Sequence, residues 1–301
     1  MVQTKLQGIR AKPEISSYIE ISHERNFSNK IHGKFLLLKY EFDRNREEEF
    51  CKYILKTLFI YSLTKEERER LNEDTAYELV KLALSRYVNY RKEFKGGEIG
   101  EIILFHLLEV MENAVQVANK MCLKTSGNVP YHGADAIHFG INGDLRILFL
   151  GESKIGKEFN GALNEALKSI DTYRKSDKQQ FEVDLVLGHI SDDIPENLKR
   201  EIKEYLDPRK DDLRNFTQVY AIFLGFEKQI LKELERKYQG PELVEKVMEH
   251  YQSEIESYIC SISTKVERNE NLVDQRFLFY LLPFKDIDHV REKFLEGLNL
   301  V

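Results

Sequence analysis

The sequence is poor in the residues that staple small secreted proteins. Three cysteines, Cys51, Cys122 and Cys260, are scattered over 301 residues, form no CxxC and cannot all pair. The eight histidines show neither HxxxH nor HExxH spacing, which argues against a structural zinc site. No uncharged apolar run approaches the ~18 residues that a membrane-spanning helix needs. The opening stretch MVQTKLQGIRAKPEISSY lacks the apolar centre of a signal peptide. No fixed-period repeat or low-complexity tract is present. These absences lead to the expectation of a reduced, cytoplasmic, mixed α/β protein with no membrane partner. An excess of base is missing too, since 45 Lys and Arg against 51 Asp and Glu leave a net charge of −6. A protein that coats DNA is usually basic, because neutralising phosphates supplies non-specific affinity. Net charge does not locate the charges, so nucleic acid stays open.

Residues 1–30 read as polar and irregular, 34–42 as a strand, and 45–62 and 74–90 as helices, the second opened by Asn72, Glu73 and Asp74. Gly96-Gly97 marks the best internal boundary, dividing an N-terminal α/β portion (1–90) from a second domain (91–301). After it, 98–118 is expected to be one helix. Strands are expected at 131–141 and 145–154, joined by Asn142-Gly143-Asp144, a strong hairpin signal. A helix at 161–175, a strand at 182–190, a helix near 195–206 and a nearly continuous apolar strand at 218–226 follow. A helical insertion covers about 227–265, broken at Gly240-Pro241, before a strand at 276–284 and a helix at 286–297. The order describes a central sheet covered on both faces. Phe277, Phe279, Tyr280 and Phe284 suit a core better than a base-stacking platform.

The chemistry concentrates between residues 97 and 154. Leu148, Leu150, Glu152 and Lys154 share one face of their strand, because side chains alternate with period 2. An apolar run therefore ends by projecting a carboxylate and an ammonium side by side. Asp135, on the partner strand of the hairpin, can lie across from that pair. Glu98 and Glu101 stand three apart in the first turn of a helix, where negative charge is favoured. If that turn abuts the strand ends, three or four carboxylates and a lysine converge. Such a cluster needs a cation, and oxygen ligands suit Mg²⁺ or Mn²⁺ better than zinc. A hard cation, an oriented water and a lysine make a phosphodiester hydrolysis site. Taken alone, Glu152 and Lys154 would be an ordinary ion pair at a strand end, worth little; the ordered set carries the argument. His132 and His138, six apart, fit no common ligand pair and suit hydrogen-bonding roles.

Gly133, Ala134 and Asp135 on one strand, and Gly151, Glu152, Ser153 and Lys154 on the next, resemble the Asp…Glu-x-Lys signature of the PD-(D/E)xK nuclease superfamily. Gly97, Glu98, Ile99, Gly100 and Glu101 are similar to its additional acidic helix. These stretches, with His132–His138 and the Gly156-Lys157 pair, more closely resemble the HamA family, the nuclease subunits of the bacterial Hachiman antiphage-defence system. The resemblance is firm over about 91–175. It implies a restriction-endonuclease-like mixed sheet flanked by helices in 91–301. It also implies a Mg²⁺-dependent deoxyribonuclease (Mn²⁺ substituting) that acts with a HamB-like helicase subunit. On this reading Asp135, Glu152 and the Ser153 carbonyl ligate the metal. Lys154 positions the attacking water, and Glu101, or else Glu98, completes the shell. Two departures stand out: Ala134 occupies the place of the eponymous proline, and no clear Gln follows Lys154 in the next helix, which leaves open any role for Asn164 or Lys168.

Lys157, Lys168, Arg174 and Lys175 are the candidate DNA-binding cations, although an exposed helix carries such charges in any case. Two other functions stay open: a catalytically silent module that binds DNA ends or a helicase, and an RNase.

Overall fold

The most apolar runs of the chain become the middle of one mixed sheet. The computed structural model describes residues 13–41, 43–88, 97–118, 134–143, 145–175, 190–191, 194–206 and 216–299. A short 3-10 turn (Pro13–Ser17) leads into the hairpin β1 (Ile19–Asn26) and β2 (Ile31–Leu38). The two-residue strands β3 (Tyr40–Glu41) and β4 (Arg44–Asn45) follow, then helices α1 (Glu47–Ser62), α2 (Lys65–Glu69) and α3 (Ala76–Val88). Next come α4 (Gly97–Met111), β5 (Val115–Ala118), β6 (Ala136–Asn142), β7 (Leu145–Gly156) and α5 (Phe159–Lys175). The rest of the chain supplies α6 (Glu196–Leu206), β8 (Phe216–Glu227), α7 (Ile230–Lys237), α8 (Gly240–Glu267), β9 (Phe277–Phe284) and α9 (Ile287–Asn299).

The main sheet has seven strands in the order β1-β2-β9-β8-β7-β6-β5. Its centre, β2, β9, β8 and β7, is parallel, while β1, β6 and β5 run antiparallel to their inner neighbours. Parallel strands covered on both faces read as continuous apolar runs, as in β9, where all eight residues from Phe277 to Phe284 are buried. Alternation then deals the side chains to two cores. Phe35, Leu150, Ile222 and Phe279 pack under α5, α6 and α8. Leu36, Phe149, Phe223 and Tyr280 pack under α1, α4 and α9. The first ninety residues thus contribute two strands to the same sheet as β7, and α1 lies against α4 and α9.

Several expected elements differ. The helix expected over 98–118 stops at Met111, and 115–118 forms β5. Asn113 adopts a left-handed φ of 50°, and the Ala114 N–H donates to the Leu108 carbonyl at 3.1 Å. That bond, closed around a left-handed residue, satisfies a terminal carbonyl and stops the helix. The supposedly irregular N-terminus contains β1, an edge strand whose charged composition hides it from a search for apolar runs. The strand expected over 34–42 is β2 and β3, separated at Lys39. The helical insertion is two helices, α7 and α8, broken before Gly240 as expected. Asp144, His132 and Gly133 lie outside the described residues, as does the strand read at 182–190 except for Ile190. Among the described residues no helix is long and apolar enough to cross a membrane.

Candidate active site

The site is built where the β6–β7 hairpin ends. Gly143, at φ 60°, lies in the turn that joins the two strands, and their register places Ala136 opposite Gly151. The Asp135 N–H donates to the Gly151 carbonyl at 2.7 Å, extending the ladder by one residue. Asp135 Oδ2 accepts from the Ser153 N–H at 3.0 Å and from the Ser153 hydroxyl at 3.2 Å. The Asp135 carboxylate is thereby fixed against β7. Lys154 Nζ hydrogen-bonds Glu152 Oε1 and also donates to the Ser153 carbonyl at 3.2 Å. The structure therefore brings Asp135, Glu152, Ser153 and Lys154 together.

Period 2 decides what each neighbour meets. Leu148, Leu150 and Glu152 face α5, and Ser169 of that helix hydrogen-bonds the Glu152 carboxylate. Only 6% of Glu152 is exposed. Burial, reinforced by the Asp135 charge, raises its pKa against the opposing pull of Lys154. For Lys154, burial lowers the pKa, but Glu152 and Asp135 outweigh it and the net shift is upward, with Glu165 adding. Two carboxylates close enough to disfavour each other's charge are a donor set that a hard divalent cation would relieve. Asp135, Glu152 and the Ser153 carbonyl present oxygens only, which suits Mg²⁺ or Mn²⁺.

Gly151 and Ser153 face the other way, toward α4. A Cβ on Gly151 would stand 2.7 Å from the Ala136 Cβ and 2.8 Å from Leu104 Cδ2. One on Gly100 would stand 3.1 Å from Ser153 Cβ and Oγ. Glycine at both places lets the first turns of α4 pack directly on the strand that carries the site. Glu98 and Glu101 flank Gly100 and are buried, and Tyr61 donates to Glu101 Oε2 at 3.2 Å. Their helix packs on the Ser153 side of β7, opposite the face that bears Glu152 and Lys154. Among the described residues, no group of three or more His, Cys, Asp or Glu side chains is placed to hold a metal ion. The anticipated convergence of three or four carboxylates is thus, in this structure, a pair with a buried acidic helix behind it.

The candidate DNA-binding cations separate. Lys157 pairs with Asp288 of α9 at 2.6 Å, and that hydrogen-bonded carboxylate raises its pKa. Arg174 donates to the Tyr220 hydroxyl at 3.3 Å, and Lys175 pairs with Asp171 at 2.6 Å. Lys168 is exposed on α5, in an open groove that also holds Asn164 and Lys175. His138 is fully buried beside Phe105, in a structural setting, and Phe277, Phe279, Tyr280 and Phe284 are core. Residues not singled out in the sequence also take part. Ser169 and Glu165 stand one helical turn apart on α5, a spacing that was legible once the helix was placed. Arg291 of α9 donates to the Ile155 carbonyl at 3.1 Å and steadies the end of β7, a contact no local pattern announces.

A family model described as HamA matches residues 16–298, nearly the whole chain. No curated protein matches it.

Proposed function

The chain belongs to the HamA family, and from that premise we propose that it is a Mg²⁺-dependent deoxyribonuclease, the effector subunit of a Hachiman defence system that works with a helicase. Family membership fits a Hachiman defence component. The observation that carries the catalytic reading is the fixed quartet at the end of the hairpin, Asp135 held by Ser153 and Glu152 held by Lys154. In this reading Asp135, Glu152 and the Ser153 carbonyl hold the cation, with Glu101, or else Glu98, reaching it through an intervening water. When bound, Mg²⁺ supplies Lewis-acid stabilisation for charge building on the phosphoryl oxygens. Lys154, already bonded to Glu152 and the Ser153 carbonyl, orients the attacking water and faces the developing negative charge. Ser169 and Ser153 keep the two carboxylates from rotating away. Lys168, Arg174 and Lys175 along α5, with Lys157 beyond the strand end, contact the DNA backbone.

Degradation of plasmid and linear duplex DNA by the chain with its helicase partner, in Mg²⁺ and in EDTA, tests the reading. Cutting should require Mg²⁺ and fall at least about a hundredfold in Glu152→Ala and in Lys154→Ala. If the pair never cuts DNA, or either variant cuts as well as the parent, the catalytic reading fails. A parallel RNA substrate distinguishes a ribonuclease.

A further inference from the structure

An acid-rich chain has little positive charge to spare, and many described lysines are matched. Lys30 pairs with Asp274, Lys232 with Asp286, Lys246 with Glu249 and Lys293 with Glu296. The groove between α5 and the C-terminal end of α8 gathers three cations with no carboxylate partner among the described residues. Lys168 and Arg268 line it and form no ion pair among the described residues. Lys265 lines it too and gives its ammonium to a neutral partner, Asn164 Oδ1, at 2.7 Å. The acid within the groove is partly committed, because Asp171 already accepts from Lys175 at 2.6 Å and from Asn271 Nδ2 at 2.7 Å. Lys168, Lys175, Lys265 and Arg268 against Asp171 and Glu270 leave a local charge of +2 in a molecule of −6.

We infer that this groove binds the sugar–phosphate backbone of nucleic acid, with Lys168, Lys265 and Arg268 as its phosphate contacts. The inference rests on the nuclease reading and deepens it by naming a surface that carries the substrate. Three features favour a phosphate chain over an isolated anion. The cations come from two separate helices, Lys168 and Lys175 on α5 and Lys265 and Arg268 at the end of α8. From Lys168 to Lys175, α5 runs about 10 Å, or about three base-pair rises. Asn269 and Asn271 add neutral amides among them, suited to ester oxygens that carry little charge each. Helix α5 also serves both places, since Lys168 of the groove directly precedes the Ser169 that hydrogen-bonds Glu152. Lys265 and Arg268 lie about a hundred residues downstream, so only the fold makes them neighbours of Lys168.

The test is fluorescence anisotropy of a labelled DNA duplex with the full chain, across a salt series and in EDTA so that nothing is cut. Replacing Lys168, Lys265 and Arg268 together by Ala should weaken binding by at least about tenfold and flatten the slope of log K against log salt by about two to three. Lys265→Arg should retain parental binding. Should the triple variant not fold by circular dichroism, Arg268→Ala alone, a change at an exposed helix end, should still flatten the slope by about one. Unchanged affinity and slope would overturn the inference. So would competition by polyglutamate as strong as by unlabelled duplex, since the groove would then be a dock for an acidic protein. Binding measured without metal does not depend on catalysis. Loss of cutting in Glu152→Ala with unchanged binding in the groove variants would therefore remove this inference and leave the nuclease reading intact.

Discussion

At the scale of single residues, Ser153 does more than occupy the x of Glu-x-Lys. Its backbone N–H and its hydroxyl both hold Asp135, and its carbonyl receives Lys154. The side chain supplies only one of these three contacts. Ser153→Ala should therefore leave Asp135 held by the N–H, and a net loss of about 1 kcal/mol corresponds to about a fivefold slower cleavage. Asp135→Ala, which removes the carboxylate itself, should abolish cleavage within detection. Steady-state cleavage rates of the two variants side by side check the order. Equal defects would mean that the hydroxyl does what is assigned here to the carboxylate.

Among the elements, α4 shows how one residue relocates a boundary. Asn113 in the left-handed region stops the helix and frees 115–118 to pair with β6. Asn113→Gly should be neutral or slightly stabilising, whereas Asn113→Val should cost about 1–2 kcal/mol, read as a lower thermal midpoint. The strands of the parallel centre were legible because burial on both faces writes them as apolar runs, as at 219–225. The hairpin was legible because Asn142-Gly143 sits between two such runs. The helix stop was not, since Val115 and Val117 continue an apolar pattern that a helix or a strand can use. At the site, Asp135, Glu152 and Lys154 were legible from order and alternation along a hairpin. The relation of Glu98 and Glu101 to them was not. Which face of the sheet α4 covers is decided by packing at Gly100 and Gly151, beyond the reach of local spacing.

Taken as a whole molecule, the chain also buries a carboxylate outside the hairpin site. Glu47, at the start of α1, accepts from the Lys285 N–H at 2.9 Å. Burial foremost, with Glu235 and Asp286 nearby, raises its pKa from 4.5 to about 7, against the pull of Lys285. The folded state then keeps a proton that the unfolded chain releases between those values. The contribution of Glu47 to stability is therefore greatest below pH 4.5 and declines as pH rises toward 7. Glu47→Gln should lose that decline, so its thermal midpoint should vary less than the parent's between pH 5 and 7. Parallel pH profiles of the two proteins would contradict it. The acidic balance of the chain also acquires a geography, with cations gathered along α5 and the end of α8 while many others among the described residues are paired with carboxylates.

The order of strands in the sheet has a temporal meaning as well. β9 lies between β2 and β8, and its first residue, Phe277, pairs with Ile31. A ribosome must therefore release most of the chain before the sheet beneath the site can close, and such long-range pairing is slow. Until then β8, which flanks the candidate site's strand β7, has only one of its two neighbours. If the proposed nuclease function holds, a cell would gain from this sequence of events, because most of the chain is made before the cutting edge is set.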